Sequence, residues 1–94
     1  MKPFAWDDAK SQLIKKERGI SFEEIIFHIS NGDLLDRIVH PSGKYAHQHI
    51  FIVWADNYVY MVPFVEDAEK IFLKTIIPSR KYTRLYSHKK GGDS

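Results

Sequence analysis

The sequence predicts an α+β domain: two N-terminal helices, a three- to four-stranded antiparallel sheet, and a C-terminal helix. Three observations predict it. A capping box followed by apolar residues at helical spacing starts at Ser21. Four apolar, β-rich runs come next, separated by short turn-forming segments. Pro78 then closes the last run immediately ahead of a basic stretch with helical character.

The elements follow in order. Asp7 or Asp8 caps a first helix over residues 7–18, which ends in Lys15, Lys16 and Arg18 with Gly19 just beyond. Its apolar stripe is thin, with Ala9, Leu13 and Ile14 as candidates, so most of this helix is expected at the surface. Ser21-Phe22-Glu23-Glu24 opens a second helix over 21–30. Phe22, Ile25, Ile26 and Ile29 recur at i, i+3, i+4 and i+7, which makes one buried face. Ser30-Asn31-Gly32 stops it. Strands are expected at Leu34–His40, Gln48–Trp54, Tyr58–Phe64 and Ile71–Ile77. Pro41-Ser42-Gly43-Lys44 leads into a loop, and Ala55-Asp56-Asn57 is short enough for a hairpin. Connections this short imply antiparallel neighbours, since parallel pairs need crossovers of about a dozen residues. Ile50–Trp54 is apolar on both faces, as suits a central strand. Pro63 has no N–H, so it belongs at a strand end or a non-pairing position. Ser79 is placed to cap a final helix through about Ser87.

The 94 residues are enough for one core and not two, so residues 1–88 are read as a single domain and 89–94 as a flexible tail. With 44% apolar residues the chain can pack a core rather than remain disordered. Cysteine is absent, which removes disulfides and thiolate metal sites. No apolar run approaches the ~20 residues of a membrane helix, and the N-terminus does not read as a signal peptide, so a cytoplasmic protein is expected. No nucleotide-binding loop, nucleophile elbow or zinc-finger spacing occurs.

Charge distribution is more informative than the net charge of +2. Acidic residues crowd the first 40 positions, whereas Lys74, Arg80, Lys81, Arg84, Lys89 and Lys90 form a stretch without Asp or Glu. Such a stretch suits a polyanion or an acidic protein surface, or else simply solvates a terminal helix. If the helix begins near Ser79, Arg80 and Arg84 share one face with Lys81 beside them. Cations converging on a strand–helix junction can grip a scissile phosphate, and Tyr82 and Tyr86 can stack on a base. The plainer alternative has exposed cations outside and tyrosines packed on the sheet. A second cluster, His40, His47 and His49, offers a metal site or a general base. No carboxylate is spaced to complete a ligand set, and no metal or other cofactor is expected.

The two ends of the chain carry a resemblance. Phe4-Ala5-Trp6-Asp7-Asp8-Ala9-Lys10 followed by Lys16-Glu17-Arg18-Gly19-Ile20-Ser21-Phe22-Glu23-Glu24 resembles the N-terminal signature of the BrnT toxin family, F-x-W-D-x-x-K and K-H-G-[IV]-S-F-E-E-A. Ile76-Ile77-Pro78-Ser79-Arg80-Lys81, with Arg84 and Tyr86 beyond, is similar to that family's I-I-S-A-R-K and its downstream Arg and Tyr. The resemblance implies a RelE-like fold, metal-independent RNA cleavage that inhibits translation, and neutralisation by an antitoxin encoded in the adjacent gene. The substrate it implies is RNA, including mRNA on the ribosome. Carried onto this chain, Lys10, Arg80, Lys81, Arg84 and Tyr86 fall on motif positions. Three positions depart: Arg18 replaces the His of K-H-G, Thr75 replaces the Arg before I-I, and Gln48 or His49 stands nearest to an Arg that opens the second strand. Lys74 and His49 are the candidate substitutes. The expected catalytic set is therefore Arg80 and Lys81 for charge stabilisation, Arg84 for phosphate positioning, and Tyr86 or His49 for proton transfer or stacking. Lys10, Arg18, Lys74 and Tyr82 are expected to bind RNA. A binding module that uses the same basic helix without cleavage, or an inactive toxin homologue, is the alternative.

Overall fold

Asp7 and Ser21 start the first two helices as their side-chain chemistry dictates. In the computed structural model, which describes residues 2–39 and 48–90, helix α1 spans Asp8–Arg18 and α2 spans Phe22–Ser30. The Asp7 carboxylate accepts the Lys10 amide at 3.1 Å, and Gly19 turns the chain at φ 80°, its N–H donating to the Lys15 carbonyl. Ser21 and Glu24 close a reciprocal capping box: the hydroxyl accepts the Glu24 amide and the carboxylate accepts the Ser21 amide. Phe22 and Ile25 are buried, and Ile26 and Ile29 pack half-buried beside them. On α1 the buried residues are Ser11 and Ile14, whereas Leu13 is 52% exposed and Ala9 is also exposed. Of the expected stripe only Ile14 faces inward, and the polar Ser11 joins it in place of Ala9 and Leu13. The Ser11 hydroxyl accepts the Phe22 amide at 3.1 Å and donates to Glu23 at 2.8 Å, so a buried hydroxyl joins the two helices.

Among the described residues the sheet has six strands, two more than the upper expectation. In chain order they are β1 (Phe4–Ala5), β2 (Leu34–Val39), β3 (Gln48–Ala55), β4 (Tyr58–Glu66), β5 (Ile71–Leu73) and β6 (Ile77–Pro78), and helix α3 (Arg80–Lys90) follows. The spatial order is β1-β5-β4-β3-β2, with β6 also on β4. The pairs β2–β3, β3–β4, β4–β5 and β4–β6 are antiparallel, and the two-residue β1 runs parallel to β5. β3 and β4 are joined by Asp56 and Asn57, both at positive φ (53° and 60°), the backbone of a tight hairpin. His40, His47 and the segment Pro41-Ser42-Gly43-Lys44 lie outside the described residues.

The expected fourth strand is divided at Lys74–Ile76, and Pro63 gives the reason. Pro63 pairs with Ile50 across β3 and its carbonyl accepts the Lys74 amide at 2.8 Å, so its missing N–H faces the β5–β6 edge. There the outer strand has no donor to pair with, and the chain dips to bury Ile76. Pro63 thus sits mid-strand, at the position where its lack of an N–H costs no ladder bond to β3.

Side-chain alternation sorts the sheet into two faces. Phe51, Val53, Ala55, Val62, Phe64, Ile71 and Leu73 pack with Ile14, Ile20, Phe22 and Ile25 beneath α1 and α2. Ile50, Ile52 and Val59 pack with Leu35, Ile38, Trp54, Met61, Tyr82 and Tyr86 beneath α3. β3 is apolar on both sides because helices cover it on both sides. α3 runs to Lys90, past the expected end near Ser87.

Candidate functional site: a cationic helix over one face of the sheet

Ser79 fixes where the basic helix begins. Its hydroxyl accepts the Tyr82 amide at 3.1 Å, a conventional N-cap, and its own N–H donates to the Val59 carbonyl at 2.9 Å. Thr83 completes the joint: its hydroxyl donates to the Ser79 carbonyl at 2.7 Å and accepts the Val59 amide at 2.8 Å. The first turn of α3 is therefore fastened to the start of β4. Only one rotation of the helix about its axis satisfies both bonds, and it presses Tyr82 and Tyr86 onto the sheet.

The opposite side of α3 carries Arg80, Lys81 and Arg84, all exposed. Arg80 and Arg84 are one turn apart, and the Lys81 ammonium stands 5.9 Å from the centre of the Tyr82 ring. The first turn contains no acidic residue. Cations there oppose the helix dipole, whose positive pole lies at the N-terminus, and ordinary capping chemistry favours Asp or Glu at these positions. The placement weakens the helix slightly and concentrates positive potential at one point, a local conflict of the kind found where function overrides stability.

The remaining candidates divide between the two faces. Tyr82 and Tyr86 are half-buried against the sheet, 6.2 Å apart between ring centres, which places most of their stacking surface inside. Burial raises the Tyr86 phenol pKa, and the charges of Asp36 and Tyr82 raise it further. The phenol therefore holds its proton more tightly than usual and is poorly suited to act as a base. His49 lies on the other face, opposite Phe64 on β4 and with its ring centre 5.7 Å from that of Phe64. The sheet thus separates His49 from the tyrosines and from α3. Lys10 is exposed on α1. The Arg18 guanidinium donates to the Ile76 carbonyl and ties the end of α1 to the dip between β5 and β6, which gives it a structural task. Lys74 is exposed in that dip, with its ammonium 5.7 Å from the Phe72 ring centre.

One group of polar residues is not apparent from sequence. Glu66, at the end of β4, accepts from Lys2 at 2.7 Å and from Arg37 at 2.9 Å. The hydrogen bond from Lys2, together with Arg37, holds the Glu66 carboxyl below the usual carboxylate range. The Arg37 guanidinium lies 5.2 Å from the Phe64 ring centre. Arg37 and Glu66 are 29 residues apart, and no local periodicity links them. The only sequence signal is strand parity, and the register shift between Leu34 and Asp36 disrupts it in β2. A shallow depression lined by Phe4, Ala5, Trp6 and Asp8 lies beside the first core cluster, away from α3. Among the described residues no group of three or more His, Asp or Glu is placed to hold a metal, and no helix is long and apolar enough to cross a membrane. Compared with family models, curated proteins and solved structures, the chain matches none.

Proposed function

We propose that the chain is a ribonuclease toxin of the BrnT kind, with a RelE-like fold, that grips RNA phosphates through the outward face of α3. The observation that carries this reading is the exposed set Arg80, Lys81 and Arg84 around the positive pole of a helix whose first turn has no counter-charge. Guanidinium groups bind phosphate oxygens in pairs, and the helix dipole adds to the attraction. The resemblance at both ends of the chain, Phe4 to Glu24 and Ile76 to Tyr86, supports the same reading. In a cell this surface would be held inactive by an antitoxin from the adjacent gene, an acidic segment of which would neutralise the same cations.

A second reading, RNA or protein binding without cleavage, is favoured by one observation. Of the two expected proton carriers, the Tyr86 phenol is packed on the sheet beneath α3 and the His49 imidazole lies on the opposite face, away from the α3 cations. Expression in cells tests between the two. A toxin arrests growth on induction and is rescued by the neighbouring gene product, with which it co-elutes. Replacing Arg80, Lys81 and Arg84 together by Ala should abolish the arrest. Wild-type protein that leaves growth unaffected and binds RNA without cutting it would establish the second reading.

A further inference from the structure

We propose that Arg37 and His49, side by side on the face of the sheet opposite α3, form the phosphodiester-cleaving centre, with Glu66 and Lys2 as positioning residues. This rests on the ribonuclease reading and moves its chemistry away from the basic helix. The placement follows from register. Arg37 pairs with Phe51, and Val39 pairs with His49, so Arg37 and His49 are diagonal neighbours on adjacent strands. Their side chains point to the same face and start roughly 7–8 Å apart, a span that long side chains close. Both meet the same buried ring: the Phe64 ring centre lies 5.7 Å from that of His49 and 5.2 Å from the Arg37 guanidinium. Phe64 is itself held by a parallel stack on Phe51, 3.9 Å between ring centres and 12° between planes. The platform under the two groups is therefore rigid.

Arg37 is also oriented. Its Nη2 donates to Glu66, which Lys2 anchors from the other side, and the Arg37 side chain remains 46% exposed. A guanidinium has five N–H donors, so one bond to Glu66 leaves others for a phosphate. The pair supplies two different kinds of group. His49 removes the proton from a ribose 2′-hydroxyl as the O2′–P bond forms. Arg37 stabilises the negative charge of the phosphorane. The P–O5′ bond then breaks, the 5′-oxygen takes a proton from water, and the imidazolium returns its proton to the resulting hydroxide. The products are a 2′,3′-cyclic phosphate and a 5′-hydroxyl. Access for an RNA strand is over β2, the edge strand of the sheet. Ile38 packs in the cluster beneath α3, whereas its neighbour Arg37 faces the other way, so one strand laid across this edge can touch α3 and the proposed centre together.

The test separates rate from affinity. His49→Gln and Arg37→Lys keep much of each side chain over Phe64, and thermal melting of both variants checks the fold. Each should slow cleavage of a short RNA by about 10²- to 10³-fold while its RNA dissociation constant changes less than about threefold. The double variant should be scarcely slower than either single one, because groups acting in one step are not additive. Arg80→Ala should instead weaken RNA binding, raising the dissociation constant more than either of these variants does. Folded single variants that cut RNA at near wild-type rates would overturn the proposal and leave the ribonuclease reading standing. Wild-type protein that cuts no RNA, with ribosomes supplied, would overturn both.

Discussion

Ser11 is a single hydroxyl whose removal should measurably loosen the packing of α1 on α2. It is 2% exposed and makes two bonds, accepting from the buried Phe22 amide at 3.1 Å and donating to Glu23 at 2.8 Å. Glu23 is exposed and regains water when the hydroxyl is lost, so that bond contributes little. The Phe22 amide does not. It belongs to the first residue of α2, where a helix has no internal acceptor for its N–H groups, and Phe22 is fully buried. Ser11→Ala removes one oxygen, opens almost no cavity and leaves that donor unsatisfied, at a cost of about 1–3 kcal/mol. For a domain of this size each kcal/mol lowers the melting temperature by about 4–8 °C. Circular dichroism melts and urea titrations of Ser11→Ala, compared with the exposed neighbour Gln12→Ala, make the measurement. A loss below about 0.5 kcal/mol, the ordinary scatter of surface substitutions, would refute the buried-donor reasoning.

Three further outcomes are expected. Arg18→Ala should cost about 1 kcal/mol through its bond to the Ile76 carbonyl and leave the salt dependence of RNA binding unchanged; a flatter slope would return Arg18 to the RNA surface. Arg80→Ala should flatten that slope by about one unit, measured by anisotropy titrations across salt concentrations, and an unchanged slope would remove Arg80 from the RNA contact. Glu24 has its carboxyl pKa lowered from 4.5, chiefly by the hydrogen bond from Lys15 and also by Ser21, so its ionised form favours the folded state. That contribution is complete above the ordinary value and is lost as pH falls through the lowered folded value. The stability gap between wild type and Glu24→Gln should therefore be constant near neutrality and close on acidification below 4.5; a gap unchanged at pH ~3 would contradict it.

The helices were legible because their signals are local. Asp7, Gly19, the Ser21–Glu24 box and Ser79 each act within one turn, and each does so in the structure. The hairpin at Asp56-Asn57 was legible for the same reason. What escaped depends on distant partners. Ser11 reads as a neutral surface residue until Phe22 is folded against it. β1 is two residues long and exists only because Ile71 and Phe72 offer it an edge. The split of the last strand needed Pro63 to be seen facing it across β4. At the candidate site the sequence marked the cations of α3 correctly as an exposed face. It offered both outward, base-stacking tyrosines and tyrosines packed on the sheet; Tyr82 and Tyr86 take the second arrangement and His49 lies across the sheet, because the sense of each face is set by the Ser79–Val59–Thr83 joint and by strand register. Arg37, Glu66 and Lys2 come from three separate stretches of chain, and only the fold brings them together.

The most direct measurement is the fate of a defined RNA incubated with the purified protein in EDTA, with ribosomes supplied in a parallel reaction and the new ends identified by mass spectrometry. Fragments that end in a 2′,3′-cyclic phosphate and begin with a 5′-hydroxyl are the predicted result. RNA that stays intact in both reactions while binding the protein would contradict it.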